Sequence, residues 1–380
     1  MKLSRKNGLR ASAIGALVVS GALVLSACGS DNNAQTPAKQ DGTTSSAAAS
    51  SIACEGAKGQ LLAAGSSAQK NAMDLWVRNF QAACEGVEIN YQGIGSGGGI
   101  TKFNQGQVAF AGSDSALKDE EVAESQKICK GGKGVNLPMV GGPIAIGYKL
   151  EGVDNLVLDA STIAKIFDNK ITKWNDPAIA KLNPGAKLPD SNIQAFHRSD
   201  ESGTTQNLGK YLSTAAAADW KHDPKAKSWP AQGGQAANGS SGVATAVKDA
   251  EGSIGYFELS YATSNKISTV SINTGAAAPV AATSENASKA IAAAKVKGTG
   301  NDVALSLDYA TKAEGAYPIV LVTYEIACDK GNKAETLPTL KAFLNYTVSE
   351  EGQKVLTDAG YAPLPAEIAA KVRAIVPTLS

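Results

Sequence analysis

The sequence predicts an α/β fold of two lobes, and three observations carry that prediction. A strand, a Ser/Gly turn and a helix recur three times: around Gly65-Ser66-Ser67, around 93–99 and around Ser202-Gly203-Thr204. Two long apolar runs, 135–148 and 318–328, lie where a chain would cross from one lobe to the other and return. The stretch from residue 52 onward is longer than one hydrophobic core usually serves. In open α/β sheets ligands sit beyond the C-terminal ends of the strands, where each of these turns falls.

Lys2, Arg5, Lys6 and Arg10 form a basic n-region, followed by the apolar run 11–25. That run is short and is broken by Ser12, Gly15, Ser20 and Gly21, so it reads as a signal peptide and not a spanning helix. Leu25-Ser26-Ala27-Cys28 resembles the lipobox of bacterial lipoproteins. This implies cleavage before Cys28, a lipid on its thiol and a place on the extracytoplasmic face of the cell membrane. Residues 1–27 are then the signal peptide, and 28–51, rich in Ser, Ala, Asn and Thr, a flexible tether. The chain has 36 Lys+Arg against 35 Asp+Glu, and the leader takes four of the bases and no acid, which leaves the rest slightly acidic. Nothing in that balance suggests nucleic acid as a partner, so an anion would be held by local geometry.

The strand 60–64 leads through Gly65-Ser66-Ser67 into a helix with Ala72, Leu75, Trp76, Phe80 and Ala83 on one stripe. The strand 87–92 leads through a glycine run into a helix at 100–103, and a strand at 108–111 precedes a helix over 118–129. Gly141-Gly142-Pro143 interrupts the first crossing run. Helices are expected near 161–167, 204–214, 242–249 and 284–294, with a short strand at 253–257. After the return crossing come amphipathic helices over 335–359 and 365–376. Residues 52–140 and 317–380 would make lobe I, and 141–316 lobe II. Trp76, Trp174, Trp220 and Trp229 read as core or lobe-surface residues.

Arg198 ends a β-prone run, and four residues later Ser202-Gly203-Thr204 opens a helix through Gln206, Leu208 and Tyr211. A helix N-terminus offers unpaired amides and a partial positive charge, glycine admits close approach, and arginine supplies a fork that fits a tetrahedral oxyanion. A lone Ser-Gly turn is more often a simple cap, but three such turns and one arginine point to a shared anion.

Four cysteines follow the leader: Cys54, Cys84, Cys129 and Cys328. An even number in an exported chain favours two disulfides, with three connectivities open. Cys54 precedes the first strand and Cys84 ends the first helix, so that unit brings them together. Cys129 and Cys328 remain as the second pair. No CxxC pair occurs and only His197 and His222 are present, which argues against zinc.

Other readings fare worse. Gly93, Gly95 and Gly98 fit G-x-G-x-x-G with Asp114 near the place of a ribose-binding acid, but a dinucleotide enzyme leaves the other two turns unused. A nucleophile elbow fails at Ser96, because Ile94 stands where the first glycine belongs. His197 alternates with Arg198 along the strand and so faces the other way, as a core or surface histidine.

Several stretches together resemble one family. They are 91–98, Gly112-Ser113-Asp114, 174–185, 198–204 and 252–256, and they look like the phosphate-binding lipoprotein of the Pst-type phosphate ABC importer. The resemblance runs from about Gly59 to the C-terminus. It implies a type II periplasmic-binding-protein fold, each lobe a mixed sheet flanked by helices, closing over one phosphate and delivering it to permease subunits. It implies a monomer that is no enzyme and carries no cofactor or metal. By motif, Ser67 would give a hydroxyl bond, Ala68 a backbone amide and Ser96 a further donor. Asp114 would accept a proton from the ligand, Arg198 would hold two oxygens, Ser202, Gly203 and Thr204 would close the cradle, and Asp200 would orient Arg198. Many relatives have Thr-Phe where this chain has Ser67-Ala68.

An acid in an anion site selects the ligand's proton. Phosphate near neutral pH has an OH to donate, whereas ionised sulfate would leave Asp114 unpaired beside a like charge. Sulfate or molybdate binding is the nearest alternative, and a phosphate sensor or adhesin a more distant one.

Overall fold

A computed structural model describes residues 52–380. The signal peptide, Cys28 and the tether lie outside the described residues. Among the described residues no helix is long and apolar enough to cross a membrane.

In chain order the elements are β1 (Gly59–Gly65), α1 (Lys70–Ala83), β2 (Val87–Gly93), α2 (Ser96–Asn104), β3 (Phe110–Ser113), α3 (Asp119–Ser125) and β4 (Gly134–Lys149). There follow β5 (Val157–Asp159), α4 (Ala160–Phe167), α5 (Pro177–Leu182), β6 (Gln194–Arg198), α6 (Gly203–Ala215), β7 (Gln235–Ala237), α7 (Gly239–Asp249), β8 (Ser253–Glu258) and α8 (Leu259–Asn265). Short strands β9 (Ser268–Thr269) and β10 (Ser271–Asn273) precede α9 (Ser284–Ala292), and β11 (Lys295–Val296) and β12 (Leu305–Ser306) follow it. Then come β13 (Val320–Cys328), α10 (Leu337–Thr347), α11 (Glu350–Thr357) and α12 (Ala366–Ile375).

The main sheet runs β2-β1-β3-β13-β4-β8-β6-β7, with β9 on β4. β1 is parallel to β2 and β3, and β6 is parallel to β7 and β8, as strand–helix–strand units require. β4 joins the two halves. Its first part pairs with β13, from Gly134 opposite Cys328 to Pro143 opposite Val320. From Ile144 onward it pairs with β8 instead. The change of partner falls beside Gly141-Gly142-Pro143, where proline lacks a ladder donor. The β4–β13 register also slips between Thr323 and Tyr324, opposite Pro138. Both strands are buried along their length, apart from Lys149 at the end of β4, and mostly apolar, with Asn136 in β4 and Thr323 and Glu325 in β13 as buried polar exceptions.

The disulfides are Cys54–Cys84 and Cys129–Cys328, the expected pairs. Several helix bounds depart from expectation, those of α2 and α7 among them, and two differ in kind. The helix over 118–129 is regular only at Asp119–Ser125. The span 335–359 is two helices: the Ser349 hydroxyl accepts the Gly352 amide at 3.0 Å and starts α11 afresh. Trp76, Trp174 and Trp220 are buried, while Trp229 is partly buried and stacks on the half-buried His197.

Candidate anion-binding site

The turn after β1 depends on Gly65. Its φ is +150°, and a Cβ there would stand 2.0 Å from the Gly112 carbonyl oxygen. The Ser66 amide donates to that same oxygen at 2.8 Å, which ties the turn to β3. Three tyrosines from distant elements then hold three successive carbonyls. Tyr91 donates to Ser66 at 2.8 Å, Tyr261 to Ser67 at 2.6 Å and Tyr361 to Ala68 at 2.7 Å. Burial raises all three phenols above their ordinary range, so they are donors at any physiological pH.

The predicted residues come together across these turns. Ser67 Oγ accepts the Ser240 amide at 2.9 Å, and the Ala68 amide donates to Ser66 Oγ at 3.0 Å. Ser96, at the start of α2, accepts the amides of Asp114 (3.1 Å) and Gly203 (3.2 Å) on one hydroxyl. Asp114 accepts Thr323 at 2.9 Å on Oδ1 and Thr204 at 3.1 Å on Oδ2. Ser202 caps α6, its hydroxyl accepting the Thr205 amide at 3.1 Å. All of these residues are buried.

Arg198 is 1% exposed at the end of β6. Asp200 takes its Nε at 2.7 Å and Nη2 at 2.5 Å, a fork-on-fork pair that fixes the guanidinium plane. Its Nη1 lies 3.2 Å from Ser240 Oγ and 3.4 Å from Thr204 Oγ1. Burial works against the Asp200 charge, but Arg198 and the Gly239 amide outweigh it and hold the carboxyl below the usual range. Asp114 goes the other way. Burial, the largest influence, raises its carboxyl despite hydrogen bonds from Ser66, Thr323 and Thr204 and the charge of Arg198.

Asp200 offsets much of the Arg198 charge, and the starts of α2, α6 and α7 and the turn before α1 bring further amides and hydroxyls to the same place. The glycine run serves close approach of two segments. The Gly97 amide donates to the Glu201 carbonyl at 3.0 Å, and a Cβ on Gly97 would stand 2.2 Å from the Glu201 carboxylate.

Sequence reasoning missed Gly239 and Ser240 at the start of α7. Asn238-Gly239-Ser240-Ser241-Gly242 is a fourth Ser/Gly turn before a helix, and starting that helix at Gly242 hid it. Asn207 was also missed. Its Nδ2 donates to the carbonyls of Asp114 (2.7 Å) and Gly203 (2.8 Å), and its Oδ1 accepts the Tyr309 hydroxyl.

A model of the PBP superfamily domain matches residues 37–351. The phosphate-binding protein PstS 3 of Mycobacterium tuberculosis (strain ATCC 25618 / H37Rv) is 43% identical over 379 residues, 99% of this chain and 99% of that protein. The phosphate-binding protein PstS 2 of the same organism is 39% identical over 376 residues, 98% of this chain and 99% of that protein. A solved phosphate-binding protein from Stenotrophomonas maltophilia superposes with a TM-score of 0.63 at 20% identity, covering 83% of this chain and 93% of that one. The likeness is one of fold, a two-lobed mixed α/β architecture.

Proposed function

We propose, from the premise that this chain belongs to the PBP superfamily and within it to the PstS phosphate-binding proteins, that it captures inorganic phosphate outside the cytoplasm and delivers it to an ABC importer. It acts as a binding protein and not as an enzyme. The observation that carries the reading is Asp114, a buried acid set among helix N-termini and beside Arg198.

Ser67, Ala68, Ser96, Arg198, Ser202, Gly203 and Thr204 surround the ligand, and Asp200 orients Arg198. Phosphate presents acceptor oxygens to the amides, hydroxyls and Nη1, and its one OH to Asp114. Sulfate brings acceptors only, so its charge faces a like-charged carboxylate to which it can donate nothing.

Lobe I comprises 52–140 and 317–380, and lobe II comprises 141–316. On that division the Ser96–Gly203, Gly97–Glu201 and Asp114–Thr204 bonds, and the 2.5 Å Lys227–Glu121 ion pair, all bridge the lobes. Separating them opens the cleft, so uptake and release are domain motions. The mature protein is a monomer, held to the extracytoplasmic face of the membrane by a lipid on Cys28.

Isothermal titration of the full chain with phosphate, sulfate and a nicotinamide nucleotide tests the reading. One tight phosphate per chain and no nucleotide binding is the expected result. Equal affinity for sulfate and phosphate would overturn it.

A further inference from the structure

We propose that a cavity of about 520 Å³ beside the anion site is a second, weaker site for a phosphoryl dianion, held by Lys210 and Lys297. The proposal goes beyond the function above and rests on it only for the choice of probe. Asp114 lines this cavity, with Asn207, Tyr309 and Tyr324 on its inner wall. The new site would therefore adjoin the first.

Lys210 follows Gln206 by four residues in α6, so both lie on the face turned to the cavity. Among the described residues its ammonium has no ion pair and no hydrogen bond. Burial first, then the charges of Lys297 and Lys227, push its pKa down to about 8. Lys227 is already neutralised by Glu121 at 2.5 Å, but among the described residues Lys297 at the exposed rim has no such partner. Four acids also line the cavity, Asp114, Asp119, Glu120 and Asp223, and none of them forms an ion pair with Lys210. Asp119, Glu120 and Asp223 are exposed at the rim, Glu120 is 3.9 Å from Lys118, and Asp223 accepts the Lys225 amide. Both carboxylate oxygens of Asp114 are taken by Thr323 and Thr204.

Two lysines that line one cavity and repel each other favour an anion between them. Dianionic phosphoryl oxygens match two ammonium groups, and the volume lies in the range of small-molecule sites. The same chemistry has two sources, free phosphate next to the primary site or a small phosphate ester. The volume admits both.

The test is equilibrium dialysis of the full chain with inorganic phosphate. The expected result is one tight phosphate and a second at least ~100-fold weaker. Lys210→Met should weaken the second event by at least ~10-fold and leave the first within about twofold, while Lys210→Arg should retain both. Lys297→Met, at the exposed rim, should weaken the second event in the same sense and stands in if the Lys210 variant does not fold. Glycerol 3-phosphate that displaces only the second phosphate identifies an ester site, and failure to displace it identifies a site for free phosphate. One phosphate per chain at tens of millimolar, or a second event that neither methionine variant moves, overturns the proposal. Loss of the first event in the unaltered chain would instead overturn the function proposed above.

Discussion

The Tyr361 hydroxyl donates to the Ala68 carbonyl at 2.7 Å, joining the loop after α11 to the first turn of the fold across 293 residues. With Tyr91 and Tyr261 it holds three consecutive carbonyls, so the conformation of the turn after β1 is set by residues from three distant parts of the chain.

Replacing that donor tests the arrangement. Tyr361→Phe keeps the ring and leaves the Ala68 carbonyl buried and unpaired, at a cost of about 1–3 kcal/mol. Urea denaturation should show the loss and phosphate titration a weaker affinity. An unchanged midpoint would mean that water replaces the hydroxyl.

Arg198→Lys retains the charge but loses the planar fork that Asp200 holds. Phosphate binding should weaken by at least ~1.5 kcal/mol, read by calorimetry. Unchanged affinity would make Arg198 a structural partner of Asp200 only.

Selectivity should follow Asp114. The unaltered protein is expected to prefer phosphate to sulfate by more than ~100-fold, about 3 kcal/mol. Asp114→Asn removes the charge and adds a donor, so the ratio should narrow, mainly through better sulfate binding. Acid should act in the same direction. Because burial raises the Asp114 carboxyl, it takes its own proton at a higher pH than an ordinary aspartate and can then donate to sulfate. Competition titration of both proteins at neutral and mildly acidic pH decides this, and a ratio unmoved by either change would place selectivity elsewhere.

Glu325 should make stability depend on pH. Burial, partly offset by Gln69 and reinforced by the charge of Asp114, pushes its carboxyl up to about 8 from 4.5. Between those values the folded chain keeps a proton that the unfolded chain has released. The stability due to the protonated form is therefore full below about pH 4.5, falls as pH rises and is gone once pH passes about 8. Glu258 has the same sign and is also pushed up to about 8. Glu325→Gln should flatten the fall in urea midpoint between mildly acidic and mildly alkaline pH. Parallel curves for the two proteins would exclude the assignment.

Much of the site was legible because its signals are local. A strand that ends in Gly-Ser-Ser or Arg-x-x-x-Ser-Gly-Thr announces its turn within a few residues, and the two crossing runs stand out by their length and predominant apolarity. What stayed hidden is long-range. Tyr91, Tyr261 and Tyr361 look like ordinary core aromatics until the fold brings them to one turn. Thr323 reads as one of two polar residues, with Glu325, in a mostly apolar strand, yet the register slip beside it accompanies a hydroxyl held on Asp114. The break between α10 and α11 was hidden by a pattern that stays amphipathic across it, where only the Ser349 cap decides.

The exchange of partners along β4, from β13 to β8 at Pro143, would put the joint between the proposed lobes inside a strand. A joint in a loop would be loose, its cost mostly entropic. A joint in a ladder has stiffness, and bending it changes the twist of a continuous sheet. If the proposed lobes close over the ligand, observed affinity would be the intrinsic grip of the closed site multiplied by the fraction of molecules that this spring allows to close. Substitutions in the strand could tune uptake and release over a wide range while every ligand contact stays as it is.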